Sequence, residues 1–201
     1  MLDQAETTLD AAGLDLIFRQ ARSHNGWQDR PVPESLLRQV FADAIMGPTV
    51  FNSQPMRISF VTSPEAKAKL KQVLSPGNAE KTMQAPVVAL FAYDMQFYNF
   101  LPKVAPRLAG SVERFAAEPE AQLEMLLRSA SLQAAYFMIS ARAHGLDCGP
   151  MSGFDMPKLN EAFFPDRRHR VNFICSLGFG VETALRPRAA RLSFDEACEI
   201  L

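Results

Sequence analysis

The sequence predicts an α+β fold in which helices outnumber strands. Two observations lead there. Apolar residues recur at the three- and four-residue spacing of a buried helix face over most of the chain, whereas only three short runs have strand character. Those runs are separated by helical insertions of unequal length, so they do not form a regular strand–helix–strand series.

The first helix is expected over residues 9–22, where Leu14, Ile17, Phe18 and Ala21 recur at helical spacing. A second, over 33–47, carries the stripe Leu36, Leu37, Val40, Phe41, Ala44 and Ile45, with Pro33 suited to its first turn and Gly47 to its stop. A short strand over 57–62 leads into Ser63-Pro64, an N-cap followed by proline at the first helical position, which opens a charged helix over 64–74. The run Val87-Val88-Ala89-Leu90-Phe91-Ala92-Tyr93 lacks alternation and reads as a strand covered on both faces. Residues 102–118 have little periodicity and are rich in proline, glycine and arginine, making them the candidate mobile loop. The longest helix spans 119–144 and is stopped by Gly145. Its centre, from Ala134 to Ile139, is apolar almost all round, which suits the core of the subunit or a subunit interface. A strand over 171–177 follows. The capping box Ser193-x-x-Glu196 then opens a last helix ending at Leu201.

At 201 residues with 48% hydrophobic content the chain can enclose one core, and a single domain over 1–201 is expected. A formal net charge of -1 gives no reason to expect nucleic acid or an anionic membrane as partner. Residues 1–12 carry acids and no apolar core of signal-peptide type, and no stretch approaches the roughly 18 apolar residues of a membrane span. Cys148, Cys175 and Cys198 are odd in number and lack metal-ligand spacing, which suits reduced thiols in a cytoplasmic protein.

Several motifs fail on inspection. Gly178-Phe179-Gly180 follows a strand, but Thr183 stands where a dinucleotide fingerprint needs its third glycine. In Gly149-Pro150-Met151-Ser152-Gly153 the serine is one place too late for a nucleophile elbow, and no strand leads tightly into it. His24, His144 and His169 are scattered, so no metal site is expected. The basic run Arg167-Arg168-His169-Arg170 reads as a solvated turn.

Four separated segments remain. Arg22-Ser23-His24-Asn25-Gly26-Trp27 sets a cation, a hydroxyl and an aromatic ring just past the first helix. Gly47-Pro48-Thr49-Val50-Phe51-Asn52-Ser53-Gln54-Pro55 is a helix end followed by polar turn residues able to aim donors at a ligand. Asn78-x-x-Lys81 puts an amide and an ammonium on one face of a short helix. Gly149-Pro150-Met151-Ser152-Gly153-Phe154-Asp155 follows the longest helix, and Arg186-x-Arg188-x-x-Arg191-Leu192 lies near the end.

In order and spacing these segments resemble the flavin-dependent nitroreductase family over essentially the whole chain. The resemblance implies a central, mainly antiparallel sheet flanked by helices, and an intertwined homodimer holding two FMN molecules at its interface. It further implies NADH or NADPH as co-substrate, ping-pong hydride transfer through flavin N5 to a small oxidised molecule, and no essential acid or base residue. Carried over residue by residue, Arg22, Ser23, His24 and Asn25 would hold the flavin phosphate and ribityl chain, although Ala21 and Asn25 stand where the family has basic residues. Pro48, Thr49, Val50 and Asn52 belong to a P-S-x-x-N-x-Q-P run, with Met56 in place of its usual tryptophan. Asn78 and Lys81 would meet the pyrimidine side, where a cation stabilises the charge of reduced flavin. Pro150, Met151, Ser152 and Gly153 would reach N5 and O4, so that Lys81, Ser152 and Gly153 tune the ring. Arg191, or Arg188 as its substitute, would clamp the phosphate. The runs 24–27, 149–155 and 191–197 are most similar to the malonic semialdehyde reductases of pyrimidine catabolism, which form 3-hydroxypropanoate. Arg57, Arg107 and Arg188 are then candidates for the substrate carboxylate. A broad nitroaromatic or quinone reductase is the alternative activity, and a flavin-binding dimer without turnover the non-enzymatic one.

Overall fold

The computed structural model describes residues 8–201, so the signal-peptide reading of residues 1–7 lies outside the described residues. Four strands, β1 (Met56–Val61), β2 (Val87–Asp94), β3 (Asp147–Met151) and β4 (His169–Gly178), form one sheet in the order β1-β2-β4-β3. Every neighbouring pair is antiparallel. The helices are α1 (Ala11–Leu14), α2 (Glu34–Ala44), α3 (Pro64–Lys71), α4 (Pro76–Gln84), α5 (Leu101–Val104), α6 (Val112–Ala117), α7 (Leu123–Ala143), α8 (Met156–Phe163) and α9 (Phe194–Ala197).

The two-sided burial of β2 follows from three-layer packing. Val87, Ala89 and Phe91 face Leu37, Val40 and Ala44 of α2 and Ala130, Ala134 and Phe137 of α7. Val88, Leu90 and Ala92 face Leu70 after α3 begins, Val73, Leu74, and Leu159 of α8. Successive residues of a strand point to opposite faces, so a strand between two helical layers must be apolar at every position. β2 shows this, with six consecutive residues buried.

Local signals explain several boundaries. Ser63 caps α3 by accepting from Ala66 N, with Pro64 in the first turn. Gly145 ends α7 with a left-handed φ of 78°, a conformation that glycine adopts without steric cost. Ser193 and Glu196 make the reciprocal capping box, but α9 stops at Ala197 and does not reach Leu201. The first predicted helix is broken into α1 and a wider π-type turn over Asp15–Arg19. Pro33 is the cap of α2, with extended backbone, and Gly47 is not left-handed. Gly47 lies instead against the Tyr136 ring, where a Cβ would come within 2.8 Å of Cγ.

Three expectations are corrected. The basic run 167–170 is not a solvated turn: His169 and Arg170 belong to β4, and Arg168 is bonded to the buried Asp94 carboxylate. Residues 102–118 are not an irregular loop but a succession of short helical turns, α5 and α6 among them. They are anchored because Leu101, Ala105 and Phe115 pack with Met95, Phe97 and Leu126 in a separate apolar cluster. Residues 147–151 are a strand that runs directly up to Ser152, where no strand was expected. β3 is an edge strand, where the missing proline N–H costs no ladder bond.

One buried ion cluster ties strand ends together. Asp94, with no exposed surface, accepts from Arg57 Nη2 at 2.8 Å, from Arg168 Nε and Nη2 at 2.9 Å each, and from Gln96 N at 2.9 Å. Burial, the largest single influence, pushes this carboxyl upward, but the bonds from Arg168, the Gln96 amide and Arg57 outweigh it and the net displacement is downward. An unfolded aspartate titrates near about 4. The folded carboxyl titrates lower, so the stabilisation is complete above that value and is lost as pH falls through the folded one. Asp94→Asn should lower the unfolding free energy by on the order of 3 kcal/mol at neutral pH, because two guanidinium groups lose their charge partner. Urea unfolding as a function of pH checks this: the difference between parent and variant should shrink below about pH 4, and a constant difference down to that range contradicts it.

Candidate functional site

Three of the four segments converge on the β3 edge. Arg22–Trp27 runs along that edge: Ser23 bridges Cys148, and His24 N donates to Cys148 O at 2.9 Å. It then turns beside the end of β4, with Trp27 bridging Gly180 and Val181 N donating to Gly26 O at 3.1 Å. The Trp27 indole N–H reaches Lys81 O on α4 at 3.2 Å, joining the first segment to the third. The third joins the fourth more tightly. Asn78 Nδ2 and Ser75 N both donate to Gly153 O, at 2.9 and 3.0 Å. A Cβ on residue 153 would fall 2.3 Å from Asn78 Nδ2, so only glycine permits this approach.

The chemistry offered there is polar and cationic. Lys81 is half-buried, and no ion pair to its ammonium occurs among the described residues. Ser23, Pro150 and Ser152 are exposed, while Arg22, Asn25, Asn78, Met151 and Gly153 are half-buried. The C-terminal arginines reach the same region: Arg22 Nη2 donates to Arg186 O, and Arg188 Nη2 donates to Ala21 O at 3.2 Å. The guanidinium groups of Arg22 and Arg188 are therefore brought to the segment that contains Ser23. An anionic ligand fits this donor set, which offers the Arg22 and Arg188 guanidinium groups and a Lys81 ammonium with no acidic partner among the described residues.

Not every expected residue sits with its side chain free. The His24 ring is buried against Gly180, where a Cβ would lie 2.2 Å from His24 Cδ2. Its Nδ1 lies 3.2 Å from Asp147 Oδ1 but is too poorly aligned for a hydrogen bond. This packing also accounts for Gly180, set aside above as a nucleotide-binding glycine. Arg191 turns its Nη1 onto Ala189 O and Ala190 O and makes no hydrogen bond to another segment among the described residues, whereas Arg188 reaches Ala21 O, next to Arg22. Asn52 spends its amide on Val104 O, at 2.6 Å, and on Gln54 Nε2, at 3.0 Å. Arg57 is engaged by Asp94, and Arg107 is exposed on the short-helix segment. Asp147, whose Oδ2 accepts from Gly180 N at 2.8 Å, was not found from the sequence, since nothing in its spacing marks it.

The second segment stands apart. Residues 47–55 lead into β1, the opposite edge of the sheet from β3, and their ties run to Ser129 of α7 and to Val104. Pro48 is exposed, and Thr49 and Val50 are half-buried. Alongside lies a groove of about 1040 Å³, lined by Leu37, Phe41, Ile58, Phe60, Arg57 and Lys103 among others. The described residues contain no group of histidine, cysteine and acidic side chains able to hold a metal ion, and no helix long and apolar enough to cross a membrane.

Comparison with known proteins agrees with the fold. A protein of Ralstonia nicotianae, provisionally named NADH dehydrogenase/NAD(P)H nitroreductase, is 47% identical over 195 residues, covering 96% of this chain and 99% of its own. A solved Staphylococcus epidermidis structure, provisionally described as an NAD(P)H:FMN oxidoreductase, superposes with a TM-score of 0.85 at 20% identity, over 96% of this chain and 98% of that one. A provisionally described nitroreductase of Exiguobacterium sibiricum, solved in complex with FMN, gives 0.81 at 21% identity, over 97% and 99%. Residues 18–179 match the model of the Nitroreductase family, nearly the whole of the sheet and both helical layers. The chain belongs to the nitroreductase family.

Proposed function

We propose that the chain is a single FMN-binding domain that works as a homodimeric NAD(P)H oxidoreductase, with ping-pong kinetics, on small oxidised molecules. The observation that carries this reading is the convergence of Arg22–Trp27, Asn78-x-x-Lys81 and Gly149–Asp155 through the Trp27–Lys81 and Asn78–Gly153 hydrogen bonds. Membership of the nitroreductase family and the name of the Ralstonia nicotianae relative support it. Bound FMN would supply the two-electron carrier between nicotinamide and acceptor.

The chain's own residues hold and tune. Arg22, with Arg188 in place of Arg191, would take the phosphate, and Ser23 the ribityl chain. The Lys81 ammonium would keep a positive charge beside the pyrimidine edge, stabilising the reduced form without donating a proton. Asn78, fixed by Gly153 O, keeps that helix face in register with the backbone of 150–153. The buried His24 ring acts on the site by packing, not by proton transfer. The reading requires no acid or base from the chain.

A second copy is part of the proposal. Residues 47–55 sit at the β1 edge, while the other three segments gather at the β3 edge, three strand spacings or roughly 14 Å away. A dimer lets each copy present its 47–55 loop to its partner's cluster. Two features support an intertwined pair: α7 exposes Leu127, Leu132 and Tyr136, and the C-terminal run exposes Leu192, Phe194 and Ile200. The free thiols, two of them buried, suit a cytoplasmic setting.

Within this activity the finer substrate reading is malonic semialdehyde, resting on the runs 24–27, 149–155 and 191–197. Arg57 is already paired and Arg188 is directed at Ala21 O, so a carboxylate would have to compete for either. Steady-state turnover of malonic semialdehyde against nitrofurazone decides between that substrate and broad nitro or quinone reduction.

Freshly purified protein should be yellow, and NADH or NADPH should bleach it within seconds in the absence of oxygen. A colourless preparation that takes up no FMN ends the flavin reading; a yellow one that is not bleached leaves a flavin carrier without turnover. In fully FMN-loaded Lys81→Ala, single-turnover flavin reduction should slow by about tenfold or more, the effect of losing on the order of 1.4 kcal/mol of charge stabilisation. An unchanged rate removes Lys81 from that role.

A further inference from the structure

The 47–55 loop is strained, and the strain has an identifiable restraint. Phe51, Asn52 and Gln54 have φ of 58°, 57° and 44°, left-handed values that side-chain-bearing residues adopt only when surroundings enforce them. Bonds within the loop close it on itself: Asn52 N to Thr49 O, Ser53 N to Val50 O, and Gln54 N to Thr49 Oγ1. They do not fix it to the body of the protein. Asn52 Nδ2 to Val104 O holds its middle.

Two residues of α7 hold both ends. Ser129 Oγ accepts from Val50 N at 3.2 Å, and Gln133 Oε1 accepts from Met56 N at 3.1 Å. Ser129 and Gln133 are four residues apart, hence on one helix face a turn apart, and both are fully buried. Their neighbours on the buried face are Leu126, Ala130, Ala134, Phe137 and Ala141. A hydroxyl and a carboxamide are costly in such company unless they satisfy a buried partner. The partners they satisfy are the backbone amides at the loop's entrance and exit. Gln133 Nε2 has no partner among the described residues, so accepting from Met56 N is the polar task the structure gives this side chain.

We infer that Ser129 and Gln133 are positioning residues for the flavin site, a two-point clamp that sets the shape in which residues 49–55 are presented to the cofactor. The inference rests on the proposed reading that this loop borders FMN. The clamp lies on the helix that also exposes Leu127, Leu132 and Tyr136, and Leu132 and Tyr136 follow Ser129 and Gln133 by three residues each, so pairing of two copies through α7 would bear on the same stretch of helix that shapes the loop.

The test uses the full chain and three variants: Ser129→Ala, Gln133→Met, which removes the acceptor at similar volume, and Gln133→Glu, which keeps an oxygen for the Met56 amide. Hydrogen exchange of the FMN-free protein reads the clamp, and fluorescence titration with FMN reads its consequence. Ser129→Ala and Gln133→Met should each speed exchange in residues 49–56 and raise the FMN dissociation constant, both by tenfold or more, with α7 still protected; Gln133→Glu should restore both. Parent-like FMN affinity in Ser129→Ala and Gln133→Met overturns the positioning role, as does a loss of protection spread evenly over the chain. Failure of the parent itself to bind FMN is a different result: it overturns the functional reading, and this inference with it.

Discussion

Strand order is the constraint on which the other features depend. The sequence β1-β2-β4-β3 sends the two ends of the chain's polar inventory to opposite edges of one sheet. β2 and β4 between them are filled with side chains that face both helical layers, so no ligand can pass through the middle. The β3 edge gathers three segments by hydrogen bonds between backbone and side chain, whereas the β1 edge carries the fourth. In the proposed reading, a site that uses all four is assembled from two chains. The exposed apolar residues of α7 and of the C-terminal run then become the cohesive part of the same design, not a solubility defect.

The cluster at the β3 edge shows how packing and chemistry share residues. Glycines at 153 and 180 allow Asn78 and His24 to approach the backbone closely. The single tryptophan joins the first segment to α4 through one N–H, so the positions of Lys81 and Arg22 are coupled. Lys81 itself has no acidic partner among the described residues, which leaves its charge available to a ligand. By contrast the Asp94 cluster, the most charged place in the interior, is fully occupied by its own arginines and serves the fold.

Much of this was legible in the sequence, for reasons that can be stated. β2 announced itself because two-sided burial forbids alternation, and α7 because 21 helical residues with few charges leave little doubt of period. The four candidate segments were legible as motifs because turn-forming residues and short spacings keep their chemistry local. What escaped was set by contacts distant in sequence. β3 was hidden because glycine and proline at 149 and 150 carry no strand signal and proline is tolerated only once the strand is known to lie at an edge. α8 was missed although Asp155, which accepts from Lys158 N, and Pro157 mark its start. The short helices over 101–117 have too little periodicity to declare themselves and exist because Phe97, Leu101 and Phe115 share a pocket. The contact of Arg188 with Ala21 O and the engagement of Asn52 by Val104 likewise depend on which backbone carbonyl lies nearby.

The central claim, that each site is completed by the partner's 47–55 loop, is open to a direct measurement. Two inactive variants would be prepared: one with residues 48–52 replaced by glycines, the other carrying Arg22→Ala and Lys81→Ala together. Unfolded together and refolded, they should regain about a quarter of the parent's FMN-binding capacity, because random pairing makes half the dimers mixed and each mixed dimer has one intact site. No recovery in the mixture, with mixed dimers present, would mean that the site lies within one chain and would contradict the account.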